Sequence, residues 1–112
     1  MVTGSGPRCT RSRRSPTTGP AGFGIIRQFV GHGIGTEMHE EPQVPNYRTG
    51  RKGRKLEPGL CLAIEPMLTL GDYRAHVLED DWTVATVDGS LAAHFENTIA
   101  ITDHGPEVLT AL

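Results

Sequence analysis

Two glutamates in this sequence stand where glutamate is costly. Glu65 follows Cys61-Leu62-Ala63-Ile64 and precedes Pro66-Met67. Glu96 lies between Phe95 and the run that holds Ile99 and Ile101. A carboxylate inside an apolar strand must be paired, protonated or bound to a cation. Two histidines offer a complement. His32 is held between Gly31 and Gly33, which lets its imidazole stand beside a crowded centre. His39 follows, next to Glu40 and Glu41. Imidazole and carboxylate are suitable ligands for first-row divalent ions, and a pair of such ions can activate water and stabilise oxygen charge during hydrolysis. Each residue alone also has a plainer explanation: a salt-bridged glutamate, or a histidine that packs in a loop. His76 and His104 stay in that plainer class, and Glu40 and Glu41 read as surface or supporting residues.

These side chains need elements to hold them. If residues 91–102 are extended, His94, Glu96 and Thr98 share one face, while Phe95, Asn97 and Ile99 share the other. The polar face would line a site and the apolar face would meet the core. Leu60 to Leu70 is apolar apart from Glu65 and Thr69 and reads as strand. Gly71-Asp72 signals a turn, His76 to Leu78 a short strand, and Trp82 to Val87 another with β-branched and aromatic content. Asp88-Gly89 supplies a hairpin signal, and Asp103 to Pro106 turns into Glu107 to Leu109. Phe23, Ile25, Ile26, Phe29 and Val30 fit either the last turns of a helix or the entry to a strand. Residues 36–47 read as a polar connection stiffened by Pro42 and Pro45, and Arg48 to Lys55 as an exposed basic loop. The expectation is an α/β (α+β) fold, mainly antiparallel sheet with helix.

Composition bounds the answer. The chain has 112 residues, 37% hydrophobic, with 14 glycines and 8 prolines, which suits one small domain or part of a larger one and argues against a long-helix bundle. The net charge of -2 hides a break: residues 1–20 carry Arg8, Arg11, Arg13 and Arg14 and no acid, while the remainder is acidic. That first segment has few apolar side chains to bury and reads as a disordered basic tail; without interleaved aromatics or a reader module it points to no specific nucleic acid. No window approaches the roughly 18 apolar residues of a membrane span, and residues 1–20 hold no apolar signal core. Cys9 and Cys61 are too far apart and too few for a disulfide framework. Cys61 reads as a small buried hydrophobe. The expected compartment is cytoplasmic.

Read together, several motifs carry a resemblance. Phe29-Val30-Gly31-His32-Gly33-Ile34-Gly35 is followed by Met38-His39-Glu40-Glu41-Pro42-Gln43-Val44-Pro45-Asn46-Tyr47. Then come Leu56-Glu57-Pro58-Gly59, Ala63-Ile64-Glu65-Pro66-Met67 and Asp81-Trp82-Thr83-Val84. Asp88-Gly89-Ser90-Leu91-Ala92-Ala93-His94-Phe95-Glu96-Asn97-Thr98 closes the series. In this order they resemble type I methionine aminopeptidase, from about Ala21 to Leu112. The resemblance implies the C-terminal half of a pita-bread fold, two pseudo-symmetric α/β halves around a central metal site. It implies His32, Glu65 and Glu96 as metal ligands, with Glu96 bridging two divalent ions (cobalt, manganese, iron or zinc). Glu65 would also handle protons during attack and collapse. His39 would contact the substrate and stabilise the tetrahedral intermediate, and Trp82 would sit near the pocket. The reaction would remove the N-terminal methionine of peptides or nascent chains when the next residue is small.

The family also carries two metal-binding aspartates and a substrate histidine in its N-terminal half, and no counterpart is found here; residues 1–20 contain no Asp, Glu or His. Asn97 stands where histidine is common in the family. The expectation is therefore a chain that alone is weak or inactive as an aminopeptidase, with an apolar half-domain surface open to aggregation or partner binding. Two other functions stay open: a proline-specific peptidase of the same fold, and a non-enzymatic remnant or interaction domain.

Overall fold

A computed structural model describes residues 22–111; the basic segment expected over 1–20 lies outside the described residues. Among the described residues ten strands succeed one another: β1 Gly24–Ile25, β2 Gly31–Gly33, β3 Glu40–Val44, β4 Cys61–Ile64, β5 Met67–Thr69, β6 Ala75–Val77, β7 Val84–Thr86, β8 Ala92–His94, β9 Asn97–Thr102 and β10 Gly105–Val108. A five-stranded sheet runs β10-β9-β4-β2-β3, a three-stranded sheet β1-β5-β8, and β6 with β7 forms a two-stranded ribbon. Every pairing is antiparallel, as expected. The expected helix is not found among the described residues. Within Phe23 to Val30, which fitted either element, only Gly24–Ile25 is strand. Ile25 and Ile26 are β-branched and lose side-chain freedom in a helix, whereas the edge of β5 offers a ladder. Gly24 pairs with Thr69 and Ile25 with Leu68, and the Ile26 amide donates to the Met67 carbonyl at 3.1 Å.

The feature that positions the site is a corner. Leu60 to Leu70 is divided into β4 and β5 by Glu65-Pro66, and Leu91 to Thr102 into β8 and β9 by Phe95-Glu96. The two interruptions face each other. Ile64 pairs with Asn97 on one side of the corner and Met67 with His94 on the other, so the register is unchanged and Glu65 falls opposite Glu96. The Phe95 amide still donates to the Pro66 carbonyl at 3.2 Å. Pro66 has no amide hydrogen to return, so the ladder opens there. The strand pair thus leaves the five-stranded sheet and enters the three-stranded one. The break also turns Phe95 outward: it is 68% exposed rather than packed with Ile99 in a core.

Two other expectations change. The polar connection over 36–47 contains β3, which pairs with β2 across an irregularity between His32 and Gly33. Asp88-Gly89 does not close a hairpin, because β7 pairs with β6 and β8 with β5. The Asp88 carboxylate instead accepts the amide of Asp72 at 2.7 Å and that of Ser90 at 3.1 Å, so the turn is tied to the loop after β5. The basic stretch Arg48 to Lys55 is an exposed loop, and β9 turns into β10, both as expected.

Buried hydrophobic residues among those described are few: Ile26, Leu62 and Ala63. Thr69 is buried with them, its hydroxyl directed at the carbonyls of Gly71 (3.2 Å) and Asp72 (3.0 Å). Cys61 is half-buried rather than buried. Loops are held by polar clamps. The Arg27 guanidinium lies 5.1 Å from the ring centroids of both Tyr47 and Tyr73, a double cation–π contact that joins three loops.

Candidate metal centre

Directly opposed residues of an antiparallel ladder share a face. His32 pairs with Ala63, Ala63 with Thr98, and Met67 with His94. With Glu65 opposite Glu96, the register alone gathers His32, Glu65, His94 and Glu96 on one face of the bent ribbon. Ala63, fully buried, is the small floor between His32 and Thr98. The neighbours of His32 are set by close packing. A β-carbon on Gly31 would strike the Ala63 carbonyl oxygen, and one on Gly33 the Glu41 carbonyl oxygen. Only glycine lets β2 lie that near both neighbours.

Glu65 is the hub. Its Oε1 lies 3.4 Å from His32 Nε2 and its Oε2 lies 3.3 Å from His94 Nε2. The side chains of Glu65 and His32 are each 13% exposed, and that of His94 is 45% exposed. One ligand atom each from Glu65, His94 and Glu96 falls within a 4.8 Å cluster. His32 Nδ1 lies 2.8 Å from the Gly33 carbonyl, which can only accept. Nδ1 therefore carries the hydrogen, and in the neutral ring Nε2 presents a lone pair to Glu65. Two lone pairs at such a distance require a proton or a cation between them. Ligand atoms about 2.0–2.1 Å from a tetrahedral ion stand about 3.3 Å apart. The donor chemistry and spacing thus fit a divalent ion.

Of the residues singled out by sequence, the structure brings His32 and Glu96 to Glu65. His39 stacks on His32, with ring centroids 4.3 Å apart and planes tilted by 52°. The two rings share a cleft of about 330 Å³ with Val30, Glu40, Glu41 and Gln43. Trp82 is 87% exposed. It lines a separate, mostly apolar pocket of about 530 Å³ with Ile26, Phe29, Met67 and His94. That pocket meets the carboxylate cluster at His94. The residue that sequence reading missed is His94 itself. The sequence puts it on the face of Glu96, and its spacing of two residues from Glu96 is the available signal.

The chain matches metallopeptidase family M24 over residues 10–103. It is 60% identical over 89 residues to a methionine aminopeptidase of Clostridium acetobutylicum, covering 80% of this chain and 36% of that protein. It is 52% identical over 88 residues to methionine aminopeptidase 1 of Bacillus subtilis, covering 79% and 36%. Among solved structures, the methionine aminopeptidase of Thermotoga maritima superposes with a TM-score of 0.78 at 56% identity, over 82% of this chain and 37% of that one. The chain therefore spans little more than a third of the relatives it matches. With a donor set suited to a divalent ion and a match that runs through most of its residues, this chain belongs to metallopeptidase family M24.

Proposed function

We propose that this chain carries part of the active centre of a metal-dependent aminopeptidase that removes N-terminal methionine. The observation that carries the reading is the Glu65 carboxylate at the sheet corner, which meets His32 through one oxygen and clusters with His94 and Glu96. His32, Glu65 and Glu96 would hold the metal. When bound, divalent ions supply Lewis acidity toward the scissile carbonyl and lower the pKa of water. Glu65, between two imidazoles, takes and returns the proton of the attacking water. His39, stacked on His32, donates an imidazole N–H to the carbonyl oxygen as charge develops on it. Trp82 and the apolar pocket beside His94 receive the methionine side chain of a peptide or nascent chain.

The finer assignments belong to the same proposal. Residues 21–112 form the C-terminal half-domain of a pita-bread fold, the ions are cobalt, manganese, iron or zinc, and the enzyme works in the cytoplasm. No described helix is long and apolar enough to cross a membrane. The two aspartates that the resemblance calls for have no match in these 112 residues, and the proposal for these residues by themselves is a weak catalyst. Its exposed apolar residues make it prone to aggregation or partner binding.

Incubation of the purified chain with Met-Ala-Ser peptide and manganese tests the reading. The expected outcome is slow, metal-dependent methionine release, at least about 100-fold below that of the Clostridium relative, and its loss in Glu96→Gln, which removes a ligand charge. Turnover equal to the relative rejects the weak-catalyst proposal. Faster cleavage of a peptide with proline in second position favours the proline-specific alternative. The absence of release under every condition favours the non-enzymatic one.

A further inference from the structure

We propose that His94 is itself a metal ligand, binding a divalent ion jointly with Glu65 and Glu96 on the side of Glu65 away from His32. The proposal rests on the reading of this corner as a metal centre and adds a donor that the resemblance does not supply. Three observations carry it. First, the two Glu65 oxygens are divided between two imidazoles: Oε1 faces His32 Nε2 at 3.4 Å, and Oε2 faces His94 Nε2 at 3.3 Å. The second separation matches ligand atoms on a common tetrahedral ion as well as the first does, about 3.3 Å. Second, the group whose ligand atoms all lie within 4.8 Å of one another is Glu65, His94 and Glu96, and it does not include His32. By mutual distance His94 belongs to the carboxylate cluster more closely than His32. Third, the register fixes this arrangement. His94 opposes Met67 one step beyond the corner, on the face that Glu65 and Glu96 occupy.

The chemistry follows from the donor types. Two carboxylates directly opposed on adjacent strands repel. One nitrogen and two carboxylate ligands suit borderline ions such as zinc, cobalt, iron or manganese rather than calcium or magnesium, which favour all-oxygen sites. A second imidazole beyond Glu65 gives the chain four donors of its own and makes Glu65, lying between the histidines, the shared ligand. His94 also forms part of the apolar pocket wall with Trp82 and Met67. An ion held there lies at the junction of pocket and carboxylates.

Cobalt(II) titration of the complete 112-residue chain tests this, with affinity and the visible absorption bands as readouts. His94→Ala is expected to weaken cobalt binding by at least about 10–100-fold, the loss typical of even an outer-shell partner, and to change the bands. His94→Gln is expected to restore only part of the affinity. Unchanged affinity and bands in His94→Ala overturn the proposal while leaving the centre at His32, Glu65 and Glu96 in place. Absence of cobalt binding by the unmodified chain overturns both. A second measurement does not depend on the variants folding: in the ¹⁵N-histidine-labelled unmodified chain saturated with zinc, the His94 Nε2 resonance is expected to move to the metal-bound position. An Nε2 resonance that stays in place argues for a simple His94–Glu65 ion pair and rejects ligation.

Discussion

Opposed like charges on neighbouring strands cost stability, and Glu65 and Glu96 are opposed by register. The imidazoles of His32 and His94 stand on either side of Glu65, and a proton or cation between ring and carboxylate is what offsets that repulsion. Each of the three expected ligands was legible because it was out of place locally: an acid in an apolar run, or a histidine between glycines. His94 was not, since its approach to Glu65 across the corner is recorded by no local pattern. The same face explains a sensitivity at Gly33. A methyl there meets the Glu41 carbonyl, backbone atoms that cannot swing aside. Gly33→Ala is expected to destabilise the fold by about 1–3 kcal/mol, the usual range for overpacking, and to displace His32. Denaturant unfolding measures the first effect and the His32 imidazole NMR signals the second; an unchanged midpoint with unchanged signals contradicts the close fit.

Among the elements, the turn after β7 has a pH dependence that can be worked out. The Asp72 amide, with Ser90 adding to it, holds the Asp88 carboxyl down at about 2. Arg74 likewise lowers Asp72, and Thr83 lowers Asp80. A depressed carboxylate contributes stability above its unfolded pKa, about 3.9, and loses it as pH falls through the folded value. The tie between this turn and the loop after β5 is therefore expected to be intact above about pH 4 and to loosen down to about pH 2. Faster amide hydrogen exchange at Asp72 over that window, absent in Asp88→Asn, is the check. Protection that persists to the acid end argues against the tie. This turn also shows where sequence reading stops. Asp88-Gly89 has the composition of a hairpin, but the partner of Asp88 is a distant amide, and long-range pairing decided the connection. The runs 60–70 and 91–102 were legible as strands from their apolar and β-branched content. Their breaks were not, since alternation continues through Phe95-Glu96.

At the level of the whole molecule, the described residues bury only Ile26, Leu62 and Ala63 as hydrophobic core, while Trp82, Leu91, Phe95 and Leu70 are each more than half exposed. The proposed contact region rests on these exposed apolar residues. The chain in isolation is expected to sediment faster as its concentration rises and to brighten a hydrophobic dye; a concentration-independent monomer that leaves the dye dark contradicts this. The antiparallel architecture was legible from the strand runs and turns, whereas the division into three sheets was not, because it depends on where paired strands part company. The corner has one more consequence. Because both strands cross it without shifting register, a slip of one position between them would turn Glu96 and His94 to the side opposite Glu65. In the proposed centre only a correctly threaded ribbon would capture an ion, and by mass action the captured ion would pull the population toward that threading. In the proposed metal centre, alignment of the sheet and assembly of the donors would thus be a single event, and metal supplied during refolding would act as a proofreader.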